Sequence, residues 1–190
     1  MGICMCLKRL TDASRERMLA DSNEISLCFD FSDGESDNQS PERDPHFDEP
    51  ECNLDKTWQT LCFLCCGENL ATRTYVENSF PSNFMLPLAR DGITMSDDLF
   101  GGPAWIYSSQ VVKEIADFLD AQVEDQLRAK YLPEAVKIAK AYSSYWNQVE
   151  YDQSPAWEED WRNTFDEFSE LKKFVRETAD RHLALLLYLS

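Results

Sequence analysis

Residues 2–7 of this chain form an unbroken apolar run, Gly2, Ile3, Cys4, Met5, Cys6, Leu7. A strand with one wet face alternates apolar and polar positions, so a run without alternation reads as a strand covered on both faces. Residues 183–189 have the same character and predict a second central strand. Between these ends the helical period dominates. Val111, Val112, Ile115, Phe118 and Leu119 form one apolar face of a helix that Ser108 can cap. Trp161, Phe165, Phe168, Leu171, Val175 and Ala179 recur at steps of three and four, which predicts a long helix over about 156–181. On its outer side Lys173 with Glu177 and Arg176 with Asp180 are i,i+4 ion pairs.

The remaining elements are shorter. Thr11 or Asp12 can cap a helix running to about Ala20, with Met18 and Leu19 turned inward. Asn53 can cap another, with Asp55 in its first turn, Leu54, Trp58, Leu61, Cys62 and Cys65 on one face and Gly67 as its stop. Further helix is expected over 125–130 and 133–142, the latter opening on Pro133. Residues 104–107 read as a short strand after the turn Gly101, Gly102, Pro103. Residues 25–31 suit strand or helix, and 69–98 read as irregular. No internal repeat is visible. The pattern is α+β: a single domain with helices packed on a small mixed sheet that includes the N- and C-terminal strands. A length of 190 residues with 43% hydrophobic side chains is enough for one core.

Charge changes this picture in one place and sets limits elsewhere. Over residues 30–55 ten acidic residues face one basic residue, Arg43, among Pro41, Pro45, Pro50 and several Ser and Asn. Such a stretch buries too little apolar surface to offset its ordering entropy, so 32–51 is expected to be a mobile acidic loop within the domain. The formal net charge is −17. That value repels phosphate backbones and anionic membranes, which sets nucleic acid and membranes aside as partners. No apolar run approaches the roughly 20 residues that a span needs. The opening residues place Lys8 and Arg9 after the apolar run, the reverse of a secretory signal. With seven clustered cysteines, they indicate reduced thiols in the cytoplasm.

Familiar chemistries are scarce. Cys62, Cys65 and Cys66 have the spacing of half a zinc site, but Cys62 and Cys65 share the apolar face of Trp58 and Leu61. They read as core thiols, with no metal and no cofactor expected. The two histidines, His46 and His182, make no recognisable catalytic motif, and His182 is placed to interact with a helix C-terminus. Asp97 and Asp98, just before the Gly101 turn, could bind a cation or act as acid and base, or could simply decorate a loop. Trp58, Trp105 and Tyr107 could line a pocket or fill the core, and Asp55 could join them or serve only its helix.

Several short segments in order resemble a known family. These are the opening Met1, Gly2, Ile3, Cys4, Met5; the element Leu54, Asp55, Lys56, Trp58, Leu61; Gly101, Gly102, Pro103, Ala104 leading through Ser108 to Val112 and Ile115; and an aromatic-rich helix followed by Leu186, Leu187, Tyr188, Leu189. Together they resemble the YfbM-like domain, a bacterial family of unknown function. The resemblance implies an α+β fold and brings no catalytic residues. The long acidic stretch before Leu54 departs from that pattern.

Two functions fit these observations. One is a non-enzymatic cytoplasmic protein-binding domain whose acidic surface meets a basic protein, as a small inhibitor or immunity protein does, with Asp44, Asp48, Glu49 and Glu51 as candidate contacts. The other is a small enzyme or ligand-binding domain with its site near Asp55, Trp58, Asp97, Asp98, Trp105 and Tyr107.

Overall fold

A computed structural model describes residues 4–21, 44–54, 57–66, 93–95, 104–131 and 155–189. Its elements follow in chain order: β1 (Met5–Leu10), α1 (Asp12–Ala20), β2 (Cys52–Leu54), α2 (Trp58–Cys66), β3 (Ile93–Met95), β4 (Ala104–Tyr107), α3 (Ser109–Asp120), α4 (Glu124–Lys130), α5 (Pro155–Asp180) and β5 (Ala184–Leu189). The strands form one sheet in the order β2, β1, β5, β4, β3.

The two apolar ends of the chain meet at the centre of that sheet. β1 and β5 pair along their full lengths, from Met5 opposite Leu189 to Leu10 opposite Ala184. The other edge of β5 pairs with β4, from Ala104 opposite Tyr188 to Tyr107 opposite Leu185. β2 extends the sheet beyond β1, and β3 extends it beyond β4. Every pairing among the described residues is antiparallel, which corrects the expectation of a mixed sheet. The connections from β1 to β2 and from β4 to β5 are long, but long connections do not by themselves require parallel strands.

Both faces of the sheet are covered at its centre, which is why β4 and β5 carry no polar alternation. Met5, Leu7, Trp105, Tyr107, Leu185 and Leu187 belong to one core with α2, α3, α4 and α5. Cys6, Leu10, Ala104, Ile106, Ala184, Leu186 and Tyr188 belong to a second, smaller core with Met18 of α1 and Phe47. Three layers result, with α1 on one side of the sheet and the remaining helices on the other.

The helix ends follow local chemistry. Thr11 caps α1 through its hydroxyl, which accepts the Ser14 amide at 3.1 Å. Ser108 caps α3, accepting from the Val111 amide at 3.4 Å. Asp12 then bridges the two helices, its carboxylate accepting the Ser109 amide and hydroxyl at 3.2 and 2.5 Å. α5 closes on a Schellman turn: the Leu183 amide donates to the Thr178 carbonyl and the His182 amide to that of Ala179. His182 holds the left-handed position of this turn, with φ of 54°.

Three expectations change. Asn53 lies in β2 opposite Cys6, and the carbonyl of Thr57 accepts the Leu61 amide at the start of α2, so Asn53 caps nothing. Residues 93–95 add an edge strand within a stretch expected to be irregular. β1 runs to Leu10, and residues 1–3 lie outside the described residues, as do 25–31, Gly67 and 133–142. The acidic stretch 32–51 is described only from Asp44, where it forms a turn that packs Phe47 into the smaller core.

Because β5 supplies pairing for both halves of the sheet, deletion of residues 186–190 is expected to abolish the single cooperative unfolding transition. A truncated chain with an unchanged melting curve would contradict this. Replacing His182 by Gly removes the cost of a left-handed β-carbon and is expected to stabilise the fold by about 0.5–1 kcal/mol, measured by urea denaturation.

Candidate functional site

The residues proposed from sequence for a ligand pocket divide into two groups. Asp55, Asp97 and Asp98 lie outside the described residues. Trp58, Trp105 and Tyr107 do come together, but as packing: each is 1% exposed, and all three belong to the larger core. Trp105 and Tyr107 are two apart on β4 and therefore share a face of the sheet. Thr60, two residues after Trp58 in α2, is buried as well.

The polar cluster with the most connections lies instead where β1 ends beside the last turn of α5. Arg9 is 8% exposed, on a strand whose other residues are nearly all apolar. Its Nε donates to Thr178 Oγ1 at 3.1 Å, one terminal nitrogen to Glu177 at 2.9 Å and the other to Glu49 at 3.2 Å. Its guanidinium also lies 4.1 Å from the centre of the Phe174 ring. A buried cation is tolerated only when its donors are used, and here the carboxylates come from two separate parts of the chain.

Arg181 grips the same carboxylate from the other side, with contacts of 2.6 and 2.5 Å to the two Glu49 oxygens. His46 Nδ1 lies 2.7 Å from Glu49 and 2.9 Å from Arg181. The hydrogen bond from Arg181 is the main cause that lowers the Glu49 pKa, helped by His46 and Arg9 against the opposing effect of burial.

The other acidic residues of this turn are occupied too. Asp44 is 2% exposed; its oxygens accept the amides of Thr11 and His46, both at 2.8 Å, and the Thr11 hydroxyl at 3.0 Å. Burial opposes its ionisation, but hydrogen bonds from Ser14, Thr11 and His46 outweigh it and lower its pKa. Glu51 accepts the Tyr188 hydroxyl at 2.7 Å. Asp48 is exposed. Of the proposed partner contacts, Asp44, Glu49 and Glu51 therefore have internal work in anchoring the turn.

The sequence reading assigns no role to Arg9 or Arg181. The signal available for Arg9 is a cation inside a strand covered on both faces, which demands a buried partner. Which acid supplies it is a question of tertiary proximity: Glu49 and Glu177 are 40 and 168 residues away.

The thiols behave as core groups. Cys52 is buried, and burial, reinforced by Glu170 and Glu167, pushes its pKa up to about 12. Burial likewise pushes Cys65 up to about 12, against the nearby Lys130. The side chains of Cys62 and Cys66 lie outside the described residues. Among the described residues no group of histidines, cysteines and carboxylates is arranged to hold a metal.

Charge on the long helix is uneven. Between Glu158 and Glu170 the sequence has six acidic residues and one basic residue, Arg162. Glu158 pairs with Arg128, Asp160 accepts the Tyr131 hydroxyl, and Glu167 accepts that of Thr57. Glu159, Asp166 and Glu170 are exposed and make no ion pair among the described residues. They are spaced seven and four apart and so lie along one stripe of the helix.

The lowered pKa values of Glu49 and Asp44 fix the sign of an acid dependence. A carboxyl depressed below its unfolded value contributes stability that is present above that value and is lost as pH falls through the folded one. The ordinary values are 4.5 and 3.8. The melting temperature is therefore expected to be level near neutrality and to fall once pH drops below about 4.5. Glu49→Gln should lower it at pH 7 and flatten that acid limb, as followed by circular dichroism. An unchanged limb would show that Glu49 is not the titrating group.

Comparison with known proteins bears on the fold. No curated protein matches the chain. A solved structure, the crystal structure of a protein of unknown function, YfbM from Escherichia coli, superposes with a TM-score of 0.64 over 98% of this chain and 99% of that one, at 12% identity. At that identity the likeness shows the fold alone. Among the described residues no helix is long and apolar enough to cross a membrane. A family model described as a domain of unknown function (DUF1877) matches residues 1–188, so the chain belongs to that family.

Proposed function

We propose that this domain acts by binding a basic protein through an acidic surface, and that it is not an enzyme. A small inhibitor of a basic target is the version that best fits its size and charge. The observation that carries this reading is the stripe of Glu159, Asp166 and Glu170 on α5, exposed and in no ion pair among the described residues, in a chain of net charge −17. Three cations further along the chain are paired within the protein, while Arg162 and Lys173 of the same helix are exposed beside the stripe. Lys172 pairs with Asp120, Arg176 with Asp117 and Asp120, and Arg181 with Glu49. The surface has therefore moved from the turn around Glu49, whose carboxylates are used inside the fold, to the long helix. The alternative ligand site has less support, since Trp105 and Tyr107 are core residues.

Uncompensated surface charge acts mainly on encounter, because it is screened and does not itself exclude water. The screening length is about 10 Å at 0.1 M salt and about 3 Å at 1 M. For a partner captured at low salt and then purified, the association rate should fall steeply over that range. The combined variant E159Q/D166N/E170Q should slow association on the order of tenfold at low salt while changing dissociation little. Stopped-flow kinetics measures both rates; a tight partner that is acidic, or an association rate indifferent to salt, would overturn the reading.

A further inference from the structure

β5 pairs with one edge of β1 at every position from Met5 to Leu10, whereas β2 pairs with the other edge only at Met5, Cys6 and Leu7. The register explains the stop. Continued by two residues, it sets Pro50 opposite Arg9, and proline has no amide hydrogen to give a ladder. Among the described residues no strand therefore lies beside Arg9 and Leu10 on that edge. Residues 44–51 run back along it as a turn, with Glu49 at Arg9 and Asp44 at Thr11.

The attachments of this segment are almost all polar. Asp44 accepts the Thr11 amide and hydroxyl, Glu49 is shared by Arg9, Arg181 and His46, and Glu51 accepts the Tyr188 hydroxyl. Phe47 is its one residue in the smaller core, with the Lys8 ammonium 4.0 Å from the centre of its ring. Two of its backbone hydrogen bonds close on near neighbours, from the Phe47 amide to the Asp44 carbonyl and from the Glu49 amide to that of His46, both at 3.1 Å. Pro45, Asp48, Pro50 and Glu51 are exposed. A segment with one apolar anchor and otherwise polar ties belongs at the low end of local stability.

We propose that residues 44–51 are a strap that lets go of β1 as one unit while the sheet stays folded, uncovering the edge at Arg9 and Leu10 and the place of Phe47 in the smaller core. Its release strands no charge. When Glu49 departs, Arg9 keeps Glu177 at 2.9 Å and Thr178 at 3.1 Å, both from α5. Arg181 is exposed and returns to water, as do the carboxylates of the strap itself. The usual penalty for breaking a buried pair, an uncompensated charge, does not arise.

Native-state hydrogen exchange on the full chain tests this. The amides of Thr11 and His46 end on the two oxygens of Asp44, and those of Phe47 and Glu49 close the turn. All of these are expected to share one opening equilibrium, insensitive to low urea and at least on the order of tenfold more open than the amides of Leu185 and Leu187 in β5. Arg181→Gln, at an exposed residue, removes one hold on Glu49 and is expected to raise exchange of the whole set together, on the order of tenfold. If the set instead exchanges with the urea dependence of β5, the strap leaves only on global unfolding and the proposal is overturned. It is overturned equally if R181Q speeds the Glu49 amide and leaves that of Thr11 unchanged, because the two ends are then independent.

Discussion

The pairing of β1 with β5 is the contact on which the other layers rest. It joins residues 5–10 to residues 184–189 across nearly the whole chain, so no local folding event can form it. β5 has no free edge, since β1 and β4 flank it, and its side chains from Ala184 to Leu187 are completely buried. Each face of this strand pair then demands a cover. The α2–α5 layer meets Leu185 and Leu187, while Leu186 meets Met18 and Phe47 from the other side. A strand of this composition is an aggregation hazard when exposed, and its central position removes that hazard.

Arg9 is the exception inside this arrangement. Placing a guanidinium where the strand is covered makes the end of the sheet dependent on Glu49, Glu177 and Thr178 for satisfaction. The same contacts recruit the turn around Glu49 to the C-terminus of α5, where Arg181 completes the hold. One buried charge thus ties together β1, the segment before β2 and the longest helix. Asp44 and Asp12 act in the same spirit at the other end of the connection, each accepting an amide at a helix N-terminus that would otherwise be left unsatisfied.

This division of labour among the acids shapes the functional reading. Carboxylates that meet an amide, a hydroxyl or a guanidinium contribute to the fold and are withdrawn from any interface. Those left over on α5 and at the start of α4 keep their full field in solvent. A net charge therefore says little about where a partner binds until the internally used charges have been subtracted. Here that subtraction moves the candidate surface from the turn that contains Glu49 and Glu51 to the stripe of Glu159, Asp166 and Glu170.

The sequence by itself determined the elements whose signals are local and long. The helix over Pro155–Asp180, the capped helix after Ser108 and the two apolar terminal strands are legible because period and capping chemistry act within a few residues. β2 and β3 are three residues each, too short to show a period, and exist because longer neighbours offer them an edge. The antiparallel sense of the whole sheet was likewise a matter of how long connections return, which no residue pattern encodes. For the candidate site the split is sharper. Composition announced acidity, and Trp58, Trp105 and Tyr107 announced large apolar surface. Only the tertiary structure decided that those rings face inward, that Glu49 meets Arg9 and Arg181, and that Val123 stands exposed. Burial and ion pairing are set by which distant segments come to lie together, and the sequence specifies that only through the fold as a whole.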